Sequence, residues 1–437
     1  MVDGARQVIA RLVDDFVEFD VVGPAYGPDG PLDWAGYGVS RKAAAARSGT
    51  AESVVCGRGT LDGMPVVLVA FDFRFLGGSV GTGTGARISS AFTRARVSGL
   101  PVVSLIATGG TRMQEGVLSL RQLQLVTREA VRLPTPHLAV LRDPTTGGVW
   151  ASLGAGADVV LAERGAQVGF AGRRVRPAAT ADDPAYTAES QFAAGNVDEV
   201  VDDPAGPLAE WLRLLTDPSG EPAEVPRALG APTPAASGRQ AVERARSAAR
   251  PRAGAYLDDY FESRREIRGD RAGGVDDGMS CGVGRRGGRS IAFAAQTGTA
   301  TTPAGYRTAA RLVRLADRLG LPVLTLVDTP GAAADPAAEL AGAGPAIAGL
   351  FATIAAARVP VTTLVVGEGG SGGALALCSP DRLWIAPDAY FSVIAPELAA
   401  AILKRDPAEI PALADQLKLR PRDLLELGVV QGIAARQ

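Results

Sequence analysis

The residues of this sequence whose types and spacing could do chemistry are short glycine turns that follow apolar runs. One apolar run ends at Gly109-Gly110, and a closely similar run in the second half of the chain ends at Gly331. A strand, a glycine turn and a helix leave backbone N–H groups without acceptors, and such groups can hold negative charge on an oxygen atom. The spacing therefore indicates two places where an anionic oxygen could be stabilised.

A second pair of turns recurs in the same way. Gly147-Gly148 corresponds to Gly372-Gly373 at nearly the same offset along the chain. Tight strand-to-helix geometry alone would account for any one of these turns. Because matched turns occur in both halves, the pattern favours a duplicated fold in which the turns have a chemical role.

Composition narrows the class of protein. A chain of 437 residues with 46% apolar content is long enough for two domains, and its formal net charge of −2 gives no support to nucleic-acid binding. Cys56, Cys281 and Cys378 lie far apart and follow no metal-binding spacing, so we expect no metal site. No apolar run reaches the length of a membrane span, and we expect a cytoplasmic protein.

Proline, glycine and small residues replace periodic apolar positions after residue 216. We therefore expect one domain at 1–216, a Pro/Gly/Ala-rich linker at 217–250 that has room for a short helix from Gln240 to Arg250, and a second domain at 251–437. Residues 1–20 mix charged and apolar side chains in the manner of an amphipathic helix.

Alternating strands and helices predict an α/β architecture in each half. In the first half we expect strands at 65–71, 101–106, 138–141 and 158–162 and a helix at 85–98. In the second half we expect strands at 290–294, 361–366 and 383–386 and a helix at 306–319.

Longer motifs carry a family resemblance. The segments 71–81, 107–116, 143–149 and 169–175 resemble the β subunit of bacterial acetyl-CoA carboxylase carboxyltransferase, although the four-cysteine zinc ribbon typical of that subunit is lacking. The segments 269–272, 328–332 and 367–374 resemble the α subunit. The resemblance implies β-like and α-like halves in one polypeptide, built as two tandem crotonase-like domains, each a ββα spiral.

The resemblance implies transfer of a carboxyl group from carboxybiotin to the α-carbon of an acyl-CoA. Gly109 and Gly110 match the family's oxyanion hole for the acyl-CoA enolate, and Gly372, Gly373 and Ala374 match the hole for the ureido oxygen of biotin. It further implies contacts with biotin or coenzyme A from Arg74, Gly77, Gly78, Gly147, Gly148, Phe170, Gly172, Arg173, Gly331, Gly369 and Gly370.

Side chains near the turns are expected to support them. In the family the biotin nitrogen takes the α-proton, which agrees with a chain whose single histidine, His137, we expect to be structural. Asp143, Asp328 and Glu368 are expected to cap helices or to accept from turn amides. Arg112, like the rest of its motif, is expected to buttress the first turn.

The chain has neither a Met-Lys-Met biotinylation site nor a glycine-rich ATP-binding loop. We therefore expect a biotin carboxyl carrier protein and a biotin carboxylase in trans, and the resemblance implies a homodimer whose sites lie between copies. Two rival enzymes remain open, a biotin-independent acyl-CoA decarboxylase and a hydrolase, together with a non-catalytic scaffold of a carboxylase complex. Two unobstructed glycine turns argue against the scaffold but do not separate transfer from decarboxylation.

Overall fold

The structure, a computed structural model, describes residues 3–436. The chain divides into two units, Met1–Thr216 and Asp217–Gln437. No helix within residues 3–436 is both long enough and apolar enough to cross a membrane.

A two-residue hairpin opens the central part of the first sheet. Asp62 and Gly63 adopt left-handed φ values of 48° and 79°, the combination that lets adjacent strands pair directly. The helices and strands of this unit are, in chain order, α1 (Ala5–Leu12), β1 (Asp14–Glu18), α2 (Tyr37–Ser48), β2 (Val54–Leu61), β3 (Met64–Phe71), α3 (Thr82–Ser98), β4 (Val102–Thr108), α4 (Gly116–Ala130), β5 (His137–Thr146), β6 (Val159–Glu163), β7 (Val168–Gly169), α5 (Ala188–Ala193), β8 (Glu199–Val201) and α6 (Ala205–Leu215).

The strands of the first unit pair in the order β1-β2-β3-β4-β5-β6-β8, and β7 pairs with the end of β5. From β3 onward the neighbouring strands are parallel. Every residue of β4 is buried, as expected for a strand covered on both faces. Because parallel strands end at one edge of a sheet, the residues that follow β4 and β5 come together there.

The second unit repeats this plan with a Gly287-Gly288 hairpin. Its helices and strands are α7 (Gly238–Arg246), α8 (Ala253–Tyr260), β9 (Ser263–Ile267), β10 (Met279–Arg286), β11 (Arg289–Gln296), α9 (Pro303–Leu319), β12 (Val323–Thr329), α10 (Pro336–Leu340), α11 (Ala343–Ala356), β13 (Val361–Gly370), α12 (Ser371–Leu375), β14 (Leu383–Ile385), β15 (Tyr390–Ser392), α13 (Pro396–Leu403), α14 (Ile410–Gln416), α15 (Pro421–Glu426) and β16 (Gly432–Ile433).

Strand order confirms the predicted duplication. The second sheet runs β9-β10-β11-β12-β13-β14-β16, with β15 on the end of β13, which is the order of the first sheet strand for strand. Helices α3 and α9 each have 17 residues and follow the corresponding strands, β3 and β11. Both sheets also carry a register irregularity at the same place, between β4 and β5 and between β12 and β13.

The predicted strands and helices are present, with boundaries that differ by a few residues. The predicted helix at 85–98 begins earlier, at Thr82, and the helix at 306–319 begins at Pro303, a residue suited to the first turn of a helix. The N-terminal helix is α1 alone, since β1 follows it directly, and residues 1 and 2 of the expected range lie outside the described residues.

The segment 217–250 belongs to the second unit. Ala223, Ala228 and Ala235 are buried, and Ser237 caps α7 by accepting a hydrogen bond from the Gln240 N–H group. Small side chains give no periodic signal, yet they pack closely where they meet a sheet.

Candidate active site

Three glycine turns of the first unit lie against one another. Thr108, the last residue of β4, donates its hydroxyl to the Gly78 carbonyl at 2.7 Å, and the Gly109 N–H group donates to the Gly77 carbonyl at 2.8 Å. A Cβ atom added to Gly147 would lie 3.0 Å from the Cα atom of Gly110. The predicted glycines after β3, β4 and β5 therefore form one cluster.

The N–H groups at the first turn are partly engaged. Gly109 donates to Gly77, as described, and Gly110 donates to the hydroxyl oxygen of Thr108 at 3.0 Å. The N–H group of Gly148 lies in the first turn of the short helical segment 147–149, where no acceptor is available within that segment. The cluster thus offers one donor from a first helical turn, at Gly148, and one that is bound to a neutral hydroxyl, at Gly110.

An exposed segment borders the same cluster. The Gly147 N–H group donates to the Phe170 carbonyl at 3.0 Å, and Gly172 lies beside the Thr146 hydroxyl. The side chain of Phe170 is 71% exposed. Arg173 is also exposed and pairs with Asp182. An exposed aromatic ring and an exposed arginine side chain thus lie at the rim of the first turn.

Arg74 is held more firmly. Its guanidinium makes two hydrogen bonds, of 2.9 and 2.7 Å, with the carboxylate of Asp72, which is fully buried. Burial favours the neutral acid, but the hydrogen bonds from Arg74 outweigh it and hold the pKa of Asp72 below its usual value. The pair therefore supports the start of the Gly77 turn.

The second unit forms the corresponding cluster from Gly331, Gly370 and Gly373. A Cβ atom on Gly370 would lie 2.0 Å from the Pro330 carbonyl oxygen, and one on Gly373 would lie 2.4 Å from the Ala332 nitrogen. Gly369 packs in the same way against the ring of Phe391. Only glycine allows these backbone segments to approach so closely.

The structure corrects the predicted correspondence between the second pair of turns. Gly147 and Ser371 each follow a ten-residue strand directly and each has a left-handed φ, of 76° and 58°. Gly147 is therefore the counterpart of Ser371, not of Gly372. The prediction was displaced by one position because the sequence letters match better when glycine is aligned with glycine.

Helix α12 presents the clearest donors. The N–H groups of Gly372 and Gly373 lie in its first turn, where an α-helix provides no acceptor four residues back within the helix. A Cβ atom on Gly372 would meet nothing within 4 Å. Space is therefore open beside the Gly372 Cα atom.

A buried ion network supports the first cluster. Arg112 is about 1% exposed, donates to Glu52 at 2.8 Å and to the Ser79 carbonyl at 2.8 Å, and lies 3.3 Å from Glu115. Burial opposes the charge of Glu52, but Arg112 outweighs it and lowers the pKa of that carboxyl. The buttressing role expected for Arg112 is confirmed, since its partners come from four separate segments, and no local pattern had pointed to Glu52 or to the hydroxyl of Tyr37.

Three arginines from 246–252 hold the strand ends of the second cluster. Arg246 pairs with Glu368, the residue before Gly369, at 2.9 Å. Arg250 and Arg252 both pair with Asp328, near the end of β12. We call Arg246, Arg250 and Arg252 the arginine clamp. The arginine clamp brings the end of the predicted linker, 217–250, beside the second cluster.

The partners of the three acids near the turns agree only in part with those expected. Asp143 accepts from the Gln167 N–H group, as predicted for a turn amide. Asp328 accepts from one amide, that of Glu368, but its main partners are arginines. Glu368 caps no helix: it binds Arg246 and the hydroxyl of Tyr390. Their sequence surroundings could not reveal these distant cations.

His137 is structural, as predicted. It is 4% exposed, its Nε2 atom lies 2.9 Å from the hydroxyl of Ser104, and Phe92 packs edge-on against its ring. Ser104 is fully buried, so the pair cannot reach a substrate. Across residues 3–436, no group of three or more His, Cys, Asp or Glu side chains could hold a metal ion.

Two family models match the chain. The model described as carboxyl transferase domain matches residues 33–227, and the one described as acetyl co-enzyme A carboxylase carboxyltransferase-like matches residues 236–436.

Curated relatives carry both halves in one chain. A protein of Saccharopolyspora erythraea named acetyl-coenzyme A carboxylase carboxyl transferase subunits beta/alpha is 40% identical over 93% of this chain and 77% of its own. A protein of the same name from Salinispora tropica is 41% identical over 97% of this chain and 81% of its own. Both relatives are longer than the part this chain matches.

Solved structures establish the fold. The transcarboxylase 12S structure, described as a hexamer assembly with hydrolysed methylmalonyl-coenzyme A bound, superposes with a TM-score of 0.80 at 24% identity, covering 99% of this chain and 87% of its own. A single-chain, multi-domain long-chain acyl-CoA carboxylase gives a TM-score of 0.75 at 21% identity, over 99% of this chain and 44% of its own. The predicted fold class, two tandem crotonase-like domains, is confirmed.

Proposed function

Since this chain belongs to the acetyl-coenzyme A carboxylase carboxyltransferase family, we propose that it moves a carboxyl group from carboxybiotin on a carrier protein to the α-carbon of an acyl-CoA. The observation that carries the proposal is the turn at Gly372-Gly373, whose two N–H groups lie in the first turn of α12, with open space beside the first glycine. We assign the β-like role to 1–216 and the α-like role to 251–437, with 217–250 between them.

The second cluster suits the biotin side of the reaction. Release of the carboxyl group leaves negative charge on the ureido oxygen, which needs fixed donors. Gly372, Gly373 and Ala374 supply backbone N–H groups at the start of a helix, where partial positive charge favours an anion. Gly331, Gly369 and Gly370 keep the neighbouring backbone close enough to form one wall of the pocket. A ureido oxygen fits this donor set.

The first cluster suits the thioester. We propose that Gly109 and Gly110 line the hole for the thioester oxygen and that the Gly148 N–H group adds a donor from the adjoining turn. The bond from Gly110 to the Thr108 hydroxyl can be exchanged, because a hydrogen bond to a charged oxygen is about twice as strong as one to a neutral group. Gly77, Gly78, Gly147 and Gly172 allow the close packing of this wall.

Coenzyme A would cross the rim of the first cluster. We propose that Phe170 packs against it and that Arg173 meets a phosphate, since the exposed partner Asp182 can be displaced. Arg74 is the weaker of the two arginines for this purpose, because Asp72 is fully buried and holds it at two points. Arg74 then acts by fixing the Gly77 turn.

The carrier protein and the biotin carboxylase act in trans under this proposal, and the chain forms a homodimer. Exposed apolar faces support association: α11 contains no charged residue, and Leu398, Ile402 and Leu403 of α13 are each more than half exposed. In the first unit Val117 and Leu120 of α4 are exposed as well. Light scattering after gel filtration measures the assembly directly.

The test follows loss of the carboxyl group from malonyl-CoA and methylmalonyl-CoA. The purified protein is assayed alone, with free biotin and with a biotinylated carrier. Turnover that requires biotin supports carboxyl transfer, run in reverse, and shows which acyl-CoA is preferred. Turnover without biotin would replace the proposal with a decarboxylase, and no turnover by a folded protein under any of these conditions would favour a scaffold.

A further inference from the structure

The carbonyl group of Gly373 is held from inside the second unit by two side chains. Its oxygen accepts a hydrogen bond from the Tyr306 hydroxyl at 3.1 Å and one from the Gln296 Nε2 atom at 3.3 Å. Tyr306 lies on α9 and Gln296 is the last residue of β11, and both are fully buried. Two core elements thus meet at one backbone oxygen.

Fixing this oxygen also fixes the next N–H group. The peptide between Gly373 and Ala374 is planar and trans, so its C=O and N–H bonds point in opposite directions. With the carbonyl turned toward Tyr306 and Gln296, the Ala374 N–H group points in the opposite direction, toward the start of α12. Ala374 is one of the three donors assigned to the second cluster.

The arrangement is costly for stability, which suggests that it serves another purpose. The Gln296 Oε1 atom is buried and, among the described residues, has no hydrogen-bond partner. The amide cannot rotate to relieve this, because its oxygen would then face the Gly373 oxygen. Burial also raises the pKa of Tyr306, which keeps its hydroxyl protonated and able to donate. An apolar pair of similar size would avoid the unpaired atom.

The first unit has no such device among its described residues. The counterpart of Gly373 is Val149, whose carbonyl meets a single side chain, the hydroxyl of Ser152 at 3.5 Å, from within the same turn. Gly85 is the fourth residue of α3, as Tyr306 is of α9, and it packs against Gln122 instead. The duplicated fold therefore does not require these hydrogen bonds, and they are particular to the second turn.

We propose that Gln296 and Tyr306 are positioning residues that aim the Ala374 N–H group at the oxygen whose negative charge grows during carboxyl transfer. This inference rests on the proposed function and identifies what makes the second turn effective. A donor fixed before the reaction needs no reorganisation when the charge develops. Loss of either side chain should therefore lower kcat rather than raise KM.

Tyr306→Phe keeps the ring and removes the hydroxyl, and Tyr260→Phe is its matched control. The Tyr260 hydroxyl is also buried and donates to a backbone carbonyl, that of Glu224, at 2.9 Å. Gln296→Met removes the second donor at similar volume. It provides an independent test of the inference if Tyr306→Phe fails to fold. Each protein is assayed for biotin-dependent decarboxylation of malonyl-CoA, and thermal unfolding is recorded.

We expect Tyr306→Phe and Gln296→Met each to lower kcat by about 10-fold, with KM for malonyl-CoA within about 2-fold of wild type. The control keeps the wild-type kcat. Because both groups bind one oxygen, the double variant should lose less than the product of the single losses. An unchanged kcat, or a raised KM alone, in folded variants of an active wild-type protein would overturn the inference. An inactive wild-type protein would instead refute the proposed function.

Discussion

Alanine at Gly372 and at Gly373 should have opposite effects on stability, although the two residues are adjacent. A Cβ atom at Gly372 meets nothing within 4 Å, and the backbone there is not left-handed. Replacing glycine with alanine in a helix gains about 0.5–1 kcal/mol. Gly372→Ala should therefore unfold at or slightly above the wild-type temperature.

Gly373→Ala places its methyl group 2.4 Å from the Ala332 nitrogen and 2.7 Å from the Tyr306 hydroxyl oxygen. Since one neighbour is backbone, the turn must move, and forced overpacking costs about 1–3 kcal/mol. The helix gain offsets part of this cost, so we expect a net loss of about 0–2.5 kcal/mol. At about 2–4 °C per kcal/mol for a unit of this size, the midpoint should fall by no more than about 10 °C.

The activity of Gly372→Ala should fall although its stability does not. The Gly372→Ala methyl group occupies the open space beside this turn and should displace an oxygen atom bound to its N–H groups. A misplacement of about 1 Å costs about 100-fold in rate. Gly254→Ala is the matched control, because this glycine also lies in the first turn of a helix of the second unit with nothing within 4 Å. Fully active Gly372→Ala with intact biotin dependence would refute the assignment of this turn.

Three further outcomes follow from burial and charge. Arg112→Met leaves Glu52 and Glu115 buried without their cation, so urea unfolding should show a loss of about 3–5 kcal/mol. Arg164→Met, at the exposed pair with Asp202, should cost less than about 1 kcal/mol, and similar losses would contradict the network. Because the folded pKa of Glu52 is lowered, its charge stabilises the fold above the unfolded value near 4.5 and the gain disappears as the pH falls further. The stability difference between wild type and Glu52→Gln should therefore shrink from pH 7 to pH 3, and a constant difference would be inconsistent with this reasoning. All three cysteines are buried with raised pKa values, so a thiol reagent at pH 8 should label them only after unfolding in urea, and rapid labelling of the native protein would disagree.

The periodicity of apolar residues and the repeated sequence motifs predicted the parts of the fold that are duplicated. Continuous apolar runs such as 101–106 are typical of strands buried on both faces, and the structure has a parallel strand there. The Asp62-Gly63 dipeptide is an equally plain signal for a two-residue hairpin, since such turns need left-handed φ values at both positions, but no hairpin was predicted there.

Residues that support the site gave no local signal. Gln296 is a polar residue at the end of an apolar strand, and only the folded chain shows that it meets Gly373. Asp328 and Glu368 lie near the expected turns, but their arginine partners are far away in the sequence. The composition of 217–250 predicted a linker. Alanine and proline are common both in exposed linkers and in closely packed segments, so composition alone could not distinguish the two.

The arginine clamp bears on where the two halves of such a gene could be separated. A division after residue 250 matches the predicted start of the α-like domain, but it would remove Arg246 and Arg250 from the second product. Asp328, fully buried, would then keep only Arg252, and removal of one partner from a buried ion pair typically costs about 3–5 kcal/mol. A break between Thr216 and Asp217 retains all three cations. Fission or fusion of these halves over evolutionary time would therefore be constrained less by the resemblance of the motifs than by the location of three arginines.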